Sequence, residues 1–276
     1  MESSEYTKLA AFENRYWWHV GRRSIVGRQI ARLNKAGRAL RILNVGSGTG
    51  GTVRVFAQHG SVLNIDRSDE AVRLMRESGY EAFQMDGSRT PLRESQFDLV
   101  AALDVLEHIS EDDMALEEWA RLLKPGGHIL LTVPAYQWLW SGHDVSLGHF
   151  RRYAAKHLQK IVRAAGFEVC KCSYAITFSF FPIVAFRFWQ KLFRPHVQTS
   201  SYVELPGILN ALFIGLLRVE AFLLEMCSFP FGSSILVVAR KPVTAKVQSQ
   251  ASIPAAVTHS VSAAASEPSR AAAACV

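Results

Sequence analysis

The chain has little or nothing of several features that would assign it to a particular class of protein. Cysteine occurs only four times in 276 residues, and no two cysteines form a C-x-x-C pair, which excludes a zinc ribbon or a disulfide framework. The first ten residues, MESSEYTKLA, have neither the basic start nor the apolar run of a secretory signal. We therefore expect a cytoplasmic protein, either free or peripheral on the inner face of the membrane.

Positive charge is in excess, but it is not gathered into a run. Lysine and arginine number 31 against 24 acidic residues, which gives a formal net charge of +7. Such a surplus suggests nucleic acid or an anionic membrane as a partner. The basic residues are scattered and no RNA-binding module is recognisable, so nucleic acid is not expected. With 49% hydrophobic residues the chain can bury one good core.

The most informative feature that is present is a glycine-rich turn between two apolar runs. Residues 40–65 read LRILNVGSGTGGTVRVFAQHGSVLNI and are followed by Asp66. This order predicts a strand, a tight turn, a helix, a second strand and an acid. Gly46, Gly48 and Gly50 allow the positive φ angles and the close approach of a ligand that such a turn requires. Asp66 would accept hydrogen bonds from ribose hydroxyls.

The turn alone does not identify its ligand. Gly46, Gly48 and Gly51 also satisfy G-x-G-x-x-G, which fits a nicotinamide enzyme as well as an enzyme that uses S-adenosylmethionine (SAM). A helix beginning near Gly51 would direct its free N–H groups at an anionic group of either cofactor.

The rest of the sheet follows in a regular order. Apolar runs predict a third strand ending at Asp86 and Gly87, a fourth over 97–103 ending at Asp104, and a fifth over 129–133. Between the last two, residues 111–123 have helical spacing and are stopped by the sequence KPGG.

These motifs together resemble those of class I SAM-dependent methyltransferases. The matching segments are VGSGTG, MDGSRTPL, FDLVAALDVLEHI and LLKPGGHILLTVP, within residues 41–133 and more loosely to residue 241. The resemblance implies SAM as cofactor and an α/β fold. In that fold a seven-stranded, mostly parallel, doubly wound sheet has an antiparallel last strand and helices on both faces. A dehydrogenase would have no reason to carry the L-K-P-G-G or D-V-L-E-H segments.

The resemblance also implies a set of cofactor-binding residues. The glycine turn would line the methionine and ribose portion, Asp66 the ribose hydroxyls, and the third-strand motif the adenine. One position departs from the family, because the acid that usually orients the methionine end is replaced by Asn44. The predicted cofactor residues are Asn44, Gly46, Ser47, Gly48, Gly50, Asp66, Asp86, Gly87, Leu103, Asp104, Trp17 and Arg22.

An aromatic segment precedes the first strand. Residues 12–23 read FENRYWWHVGRR. We interpret residues 1–38 as a helical lid over the cofactor, with Arg22 or Arg23 available for its carboxylate. The alternative is that Trp17 or Trp18 merely packs onto the domain, since consecutive helical residues cannot all face one core.

The loop after the fifth strand is the most polar part of the chain. It contains His143, Asp144, His149, Arg151 and Arg152, and it lies where ligands bind in open α/β sheets. His149 or His143 could act as general base with Asp144 orienting the ring, and either arginine could bind an anionic substrate group. The alternative is a purely structural role, in which Asp144 pairs with an arginine and only stabilises the loop.

A second candidate for the base is His108, in the loop after the fourth strand. No metal site is expected.

A long apolar insertion, 175–232, separates the predicted sixth and seventh strands. Its two stretches, 178–193 and 206–227, are amphipathic and interrupted by charges, which favours helices at a membrane interface over spanning ones. The insertion would cover a small hydrophobic acceptor and dock on a membrane surface. The alternatives are a homodimer interface or ordinary core cover.

The predicted organisation is thus a lid, a SAM-binding domain over 39–241 and a disordered tail over 242–276. The predicted function is methyl transfer to a hydrophobic or membrane-associated acceptor such as a lipid, a prenylated ring or a lipid-linked sugar. A second hypothesis remains open, in which a catalytically weak or inactive methyltransferase-like domain serves as a membrane-bound binding or scaffold protein.

Overall fold

A seven-stranded sheet organises the fold, with strand order 3-2-1-4-5-7-6 in the computed structural model. The structure describes residues 12–193 and 205–243. The strands are β1 (Leu40–Val45), β2 (Gly60–Asp66), β3 (Ala82–Gln84), β4 (Phe97–Leu103), β5 (Leu123–Pro134), β6 (Glu168–Ala175) and β7 (Ser234–Arg240). β7 runs antiparallel to both β5 and β6, and the other neighbours are parallel. The predicted sheet is therefore confirmed.

Helices surround this sheet. They are α1 (Trp17–Leu33), α2 (Val53–Ala57), α3 (Asp69–Glu77), α4 (Asp112–Leu122), α5 (Gly142–Leu147), α6 (Ala155–Ala164), α7 (Phe180–Phe193) and α8 (Gly207–Met226). Two short 3₁₀ turns, Leu106–His108 and Gln137–Leu139, follow β4 and β5. The two helices α7 and α8 form the predicted insertion between the last two strands.

Side chains of β4 divide the core into two layers, one on each face of the sheet. Val100 and Ala102 belong to the layer under α4 and α6, whereas Leu99 and Ala101 belong to the layer under α1 and α8. This alternation follows from the period of two along a strand. Because every strand β1–β5 ends at the same edge, the loops that follow them converge there.

Three element boundaries differ from those predicted. α2 begins at Val53 and has only five residues, so it is a single turn and not a helix starting near Gly51. β3 ends at Gln84, before Asp86. β5 starts at Leu123, because Leu123 pairs with Phe97 across a register shift and the KPGG segment is included in the strand.

The insertion helix α8 packs on the N-terminal helix α1. Gly21 of α1 lies so close to α8 that an added Cβ would come within 2.1 Å of Leu217 Cδ1. Asn210 accepts a hydrogen bond from the backbone N–H of Trp17, and Glu225 pairs with Arg28 at 2.6 Å. The predicted lid and the predicted insertion are therefore in direct contact.

Some polar side chains of α8 bond to the protein, whereas many of its apolar side chains are exposed. Glu220 is fully buried, and its carboxylate accepts the backbone N–H groups of Ile176 and Thr177. In contrast Ile208 is 86% exposed and Met226 is 66% exposed. Because Leu217, Ala221 and Leu224 are buried in the core as well, α8 is apolar on both sides, unlike an ordinary surface helix whose outward side is polar.

α7 extends the apolar surface. Exposed side chains on α7 and α8 are Phe181, Phe186, Phe188, Trp189, Leu192, Phe193, Ile208, Leu209, Leu212, Val219, Phe222 and Met226. We call this set the outer apolar face. Among the described residues α8 is also the one helix long and apolar enough to cross a membrane, with 22% of its most apolar window buried. Residues 1–11 of the predicted lid, the linker 194–204 and the predicted tail from residue 244 lie outside the described residues.

Candidate active site

A cavity of about 980 Å³ opens where the carboxyl ends of the parallel strands meet. Its walls are the loops after β1, β2, β4 and β5, together with parts of α1 and α7. Ten of the predicted cofactor residues line it: Arg22, Asn44, Gly46, Ser47, Gly48, Asp66, Asp86, Gly87, Leu103 and Asp104. His108, His143 and His149 line its other part. We call these parts the cofactor half and the acceptor half.

The glycine turn and Asp66 form one hydrogen-bonded unit at the centre of the cofactor half. Gly48 donates its N–H to Asp66 Oδ2 at 2.8 Å, and Ser68 donates to Oδ1 at 2.9 Å. Burial raises the pKa of Asp66 while these backbone donors oppose the shift. Gly46 has a φ of 61°, and a Cβ there would lie 2.4 Å from Val105 Cγ2. Glycine is thus required on both conformational and steric grounds.

Asn44, the departure from the family pattern, is bonded across the sheet. It lies opposite Asn64 in the β1–β2 register and donates Nδ2–H to Asn64 Oδ1 at 3.0 Å. Asn64 in turn donates to the carbonyl of Glu81 at 2.9 Å. An aspartate at position 44 would present its charge to the amide oxygen of Asn64, so the neutral amide suits this neighbour.

Asp86 and Gly87 form the wall that is predicted to face the adenine. Asp86 is exposed and accepts hydrogen bonds from Ser88 Oγ at 2.6 Å and Ser88 N at 2.9 Å, which lower its pKa. A Cβ on Gly87 would lie 2.4 Å from Val45 Cγ1, and the Gly87 carbonyl accepts from Trp119 Nε1 at 2.8 Å. The wall therefore has a fixed backbone and a carboxylate at its rim.

The N-terminal helix contributes Trp18, His19 and Arg22 to the cavity, but not Trp17. Trp17 packs against Phe213 of α8 with ring centroids 5.1 Å apart. The prediction of Trp17 as a cofactor residue was therefore wrong: residues four apart share one face of a helix, and α1 turns Trp18 and Arg22 inward. The Arg22 guanidinium lies 4.6 Å from the Trp18 ring and forms an ion pair with Asp104.

Sequence reasoning missed Glu13. Its carboxylate accepts the Gly51 N–H at 2.7 Å and the Thr49 hydroxyl at 2.8 Å, and burial raises its pKa. The N–H expected to meet a ligand therefore meets the chain's own carboxylate. Gly50, which was predicted to line the cofactor, instead faces Tyr80 and lies outside the cavity wall.

No pattern distinguishes Glu13 from any other surface glutamate, because its partners are distant in the sequence.

Asp144 lies behind the wall of the acceptor half and holds two of its side chains in place. It is fully buried, and its Oδ1 lies 2.9 Å from His149 Nδ1 and 2.7 Å from Arg152 Nε. Its Oδ2 accepts from Ser141 N at 2.9 Å, which completes the capping box of α5. Burial alone would raise the pKa of Asp144, but the bonds from His149 and Arg152 hold it well below its usual value. Asp144 is thus an ionised anchor for the His149 ring.

The other two predicted histidines are neutral. Burial lowers the pKa of His108 to about 4, and it lowers the pKa of His143 to about 4 with a further contribution from Arg187. The rings of His108 and His149 meet edge to face with centroids 4.6 Å apart. Within the described residues the buried Nδ1 of His143 has no hydrogen-bond partner.

Neighbouring residues brace this loop. Arg151 pairs with Asp112 at 2.9 Å, and the Tyr153 hydroxyl donates to the same carboxylate at 2.8 Å. Arg151 is therefore occupied at a distance from the histidines, whereas Arg152 lines the cavity.

Glu107 was also missed. Its side chain is fully buried and forms part of the cavity wall. Neither carboxylate oxygen has a hydrogen-bond partner in the part of the chain that the structure describes. Burial and the nearby Asp104 raise its pKa well above the usual value. Glu107, His108 and His149 each bring one ligand atom within 4.8 Å of the others, so they could hold a metal ion where none was expected.

The residues present fit SAM. The cofactor half offers a glycine cradle, the Asp66 carboxylate for sugar hydroxyls, the partly buried carboxylate of Asp104 and the buried carboxyl group of Glu107, whose oxygens suit a cationic ligand. The volume of about 980 Å³ is at the upper end of ligand cavities and leaves space for an acceptor beside the cofactor.

Comparison with known sequences agrees with this geometry. Residues 43–131 match the family described as "Methyltransferase domain". A ubiquinone biosynthesis O-methyltransferase of Xanthomonas oryzae pv. oryzae is 32% identical over 145 residues, which cover 47% of this chain and 60% of the relative. The corresponding protein of Xylella fastidiosa is 28% identical over 143 residues, 47% of this chain and 58% of the relative. The chain thus spans about 60% of these curated relatives.

Solved structures share the fold. The [4+2]-cyclase SpnF is 25% identical, with a TM-score of 0.53 over 80% of this chain and 81% of the cyclase. Phosphoethanolamine N-methyltransferase 2 of Haemonchus contortus, solved with SAM, is 17% identical, with a TM-score of 0.53 over 77% of this chain and 51% of that protein. Sequence match, sheet order and glycine cradle agree: residues 43–131 match the methyltransferase domain family, and the sheet has the fold of class I SAM-dependent methyltransferases.

Proposed function

We propose that this protein transfers the methyl group of SAM to a small hydrophobic acceptor held at a membrane surface. The observation that carries the proposal is one continuous cavity that joins the glycine turn to the His149 loop beneath α7. The relatives named as O-methyltransferases of ubiquinone biosynthesis support a hydrophobic acceptor, because ubiquinone is a hydrophobic molecule.

The acceptor half supplies a positioned base. Because Asp144 is ionised and accepts a hydrogen bond from His149 Nδ1, it favours the tautomer of that ring with its proton on Nδ1 and its lone pair on Nε2. Nε2 can take the proton of an acceptor hydroxyl while the loop holds its oxygen near the cofactor half. SAM, when bound, supplies the electrophilic methyl group.

The outer apolar face supports a membrane-held acceptor. α8 turns Glu220 and Asn210 toward the protein and leaves apolar side chains outside. In water such a face is unfavourable, whereas at a lipid surface its burial is worth about 25 cal/mol per Å². Large exposed apolar patches on soluble proteins mark sites of interaction. The net charge of +7 favours an anionic leaflet.

The buried Glu220 favours an interfacial helix over a spanning one. Its carboxylate is bound to the backbone at the end of β6, which fixes the middle of α8 to the domain. A spanning arrangement would require this anchored carboxylate to leave its donors for hydrocarbon, which is costly.

The test has two stages. Titration calorimetry should detect SAM binding to the wild-type protein, and Asp66→Ala should abolish the heat. Incubation with SAM labelled in the methyl group and a membrane lipid extract from the host should then transfer label to the organic phase. Asp113→Asn, a change to an exposed carboxylate outside the cavity, is the matched control and should behave as wild type.

Two outcomes would contradict the proposal. Absence of SAM binding removes methyl transfer and leaves the binding or scaffold alternative. Label that appears only in the aqueous phase removes the hydrophobic acceptor while methyl transfer remains.

A further inference from the structure

α7 connects the acceptor half of the cavity with the outer apolar face. Ile183 and Arg187, one turn apart, line the cavity. Phe181, Phe188 and Leu192 of the same helix are exposed. A single helix therefore presents a guanidinium to the reaction space and aromatic side chains to the surroundings.

Aromatic contacts fix the start of α7 above the loop that follows β5. Tyr136 stacks on Tyr174 with ring centroids 5.0 Å apart and contacts Phe180 at 5.6 Å. Phe180 also meets Phe231 at 5.7 Å. Such pairs are stabilising beyond the area that they bury. The orientation of α7 over the cavity is thus held by packing at its first turn.

Two arginines occupy the wall of the acceptor half. Arg152 is held by Asp144, and Arg187 donates to the Ser141 hydroxyl. Burial lowers the pKa of Arg187, and repulsion from Arg152 adds to this shift. A bound anion would relieve the repulsion between the two guanidinium groups.

His143 adds a second observation at the same place. It lines the cavity, and its buried Nδ1 has no hydrogen-bond partner within the described residues. The Ser141 hydroxyl oxygen accepts hydrogen bonds from both Arg187 and the backbone N–H of His143, so Arg187 and His143 lie next to each other. An unsatisfied buried ring nitrogen beside two cations is a place for a ligand oxygen.

We propose that the acceptor is an anionic amphiphile whose phosphate or carboxylate is bound by Arg187, and whose apolar chain leaves along the exposed aromatic side chains of α7. This rests on the proposed function and names the class of its substrate. The anionic group would lie at the level of the lipid headgroups, and the hydroxyl to be methylated would lie deeper, near His149.

Titration calorimetry with three probes tests the proposal on the full chain. Dodecyl phosphate, below its micelle concentration, has both the charge and the chain; dodecanol lacks the charge, and inorganic phosphate lacks the chain. Wild-type protein should bind dodecyl phosphate about tenfold more tightly than dodecanol, because a charge-assisted hydrogen bond from arginine accounts for about that factor. It should also bind dodecyl phosphate at least about tenfold more tightly than inorganic phosphate, because only the amphiphile buries an apolar chain.

Variants locate the site. Arg187→Gln should weaken dodecyl phosphate binding about tenfold and leave dodecanol binding unchanged, while Arg187→Lys should lie between. Arg218→Gln is the matched control, since Arg218 carries the same charge on an exposed position of α8. It should bind all three probes as wild type does. If Arg187→Gln does not fold, Arg187→Lys decides, since it should bind dodecyl phosphate more weakly than both wild type and Arg218→Gln do.

The results that overturn the inference are specific. Equal affinity for dodecyl phosphate and dodecanol, or an unchanged affinity in both Arg187 variants, removes the role of Arg187. Inorganic phosphate that binds as tightly as dodecyl phosphate shows an anion site without an amphiphile. An equal loss in Arg218→Gln shows a general charge effect. SAM binding, measured separately on each variant, reports on the proposed function and not on this one.

Discussion

Asp144 is the residue on which the acceptor half most depends. It is fully buried and its pKa is held below the usual value, so the folded protein gains stability when this group is ionised. Asp144→Asn should lower the free energy of unfolding by about 3 kcal/mol at pH 7, as for other broken buried pairs. The difference between variant and wild type should persist to about pH 4 and shrink only below it, as Asp144 becomes protonated.

Urea denaturation at a series of pH values measures this difference. Glu117→Gln, which removes a charge from an exposed position on α4, serves as control and should change stability by less than about 0.5 kcal/mol. A difference for Asp144→Asn that disappears already at pH 6 would contradict the assignment of the shift to Asp144.

Gly46 in the cofactor half and Gly37 before β1 distinguish the cost of a strained backbone from the cost of a steric clash. Gly46 and Gly37 have nearly the same φ, 61° and 62°, but a Cβ on Gly46 meets Val105 whereas one on Gly37 meets nothing within 4 Å. Gly37→Ala should cost about 1 kcal/mol, from conformation alone. Gly46→Ala should cost about 2 kcal/mol more from the added clash, and should also weaken SAM binding. Thermal denaturation and calorimetry measure the two effects, and equal costs would exclude the clash.

The sequence was enough to locate site residues that lie in one contiguous segment of the chain. Gly46, Gly48 and Asp66 follow from a strand, a turn and a strand that are contiguous in the chain, and the structure places all three on the cavity wall. Trp17 and Trp18 were ambiguous because composition does not give the rotation of a helix about its axis. Glu13 and Glu107 carry no local signal, since each acquires its environment from segments far away in the sequence.

At the scale of elements, the contact of α1 with α8 links the cofactor half to the insertion. Gly21→Ala should favour helix by up to about 1 kcal/mol, but the Cβ would meet Leu217 at 2.1 Å. We expect net destabilisation of about 2 kcal/mol and weaker SAM binding, because α1 also carries Trp18 and Arg22.

The double variant Gly21→Ala, Leu217→Ala provides the matched test. Removing the Leu217 side chain makes room for the new methyl group, so the two changes together should cost less than the sum of each alone. Chemical denaturation of the four proteins gives the coupling energy, and strict additivity would show that the helices separate easily.

The sequence predicted both insertion helices but not which way they face. The polar side chains of Asn210 and Glu225 on α8 bond to α1. Amphipathic patterns give the angle between apolar and polar faces, and do not say whether water or protein lies on the polar one. The polar side chains of α8 bond to α1, and this contact between distant segments is known only from the folded structure.

At the scale of the whole molecule, the outer apolar face and the positive charge should act together on membranes. The protein should sediment with phosphatidylglycerol vesicles more than with phosphatidylcholine vesicles, and less as salt is raised. Ile208→Ser with Phe222→Ser should reduce binding to both kinds of vesicle. Met114→Ser, which changes an apolar side chain exposed on α4, should not. Vesicle binding that does not change with salt and is the same in the double variant would exclude binding through the outer apolar face and the positive charge.

The exposed apolar side of α8 also determines which substitutions this helix should tolerate. In a water-soluble helix the outward positions accept almost any residue and the inward ones accept only apolar residues. Here a selection for function should accept nearly any apolar residue at Ile208, Leu212 or Val219 and reject charge there. It should also keep a carboxylate at Glu220, where the backbone of β6 ends. The proposed membrane contact therefore predicts that the permissive and the restrictive sides of this helix follow the rules of a protein in lipid.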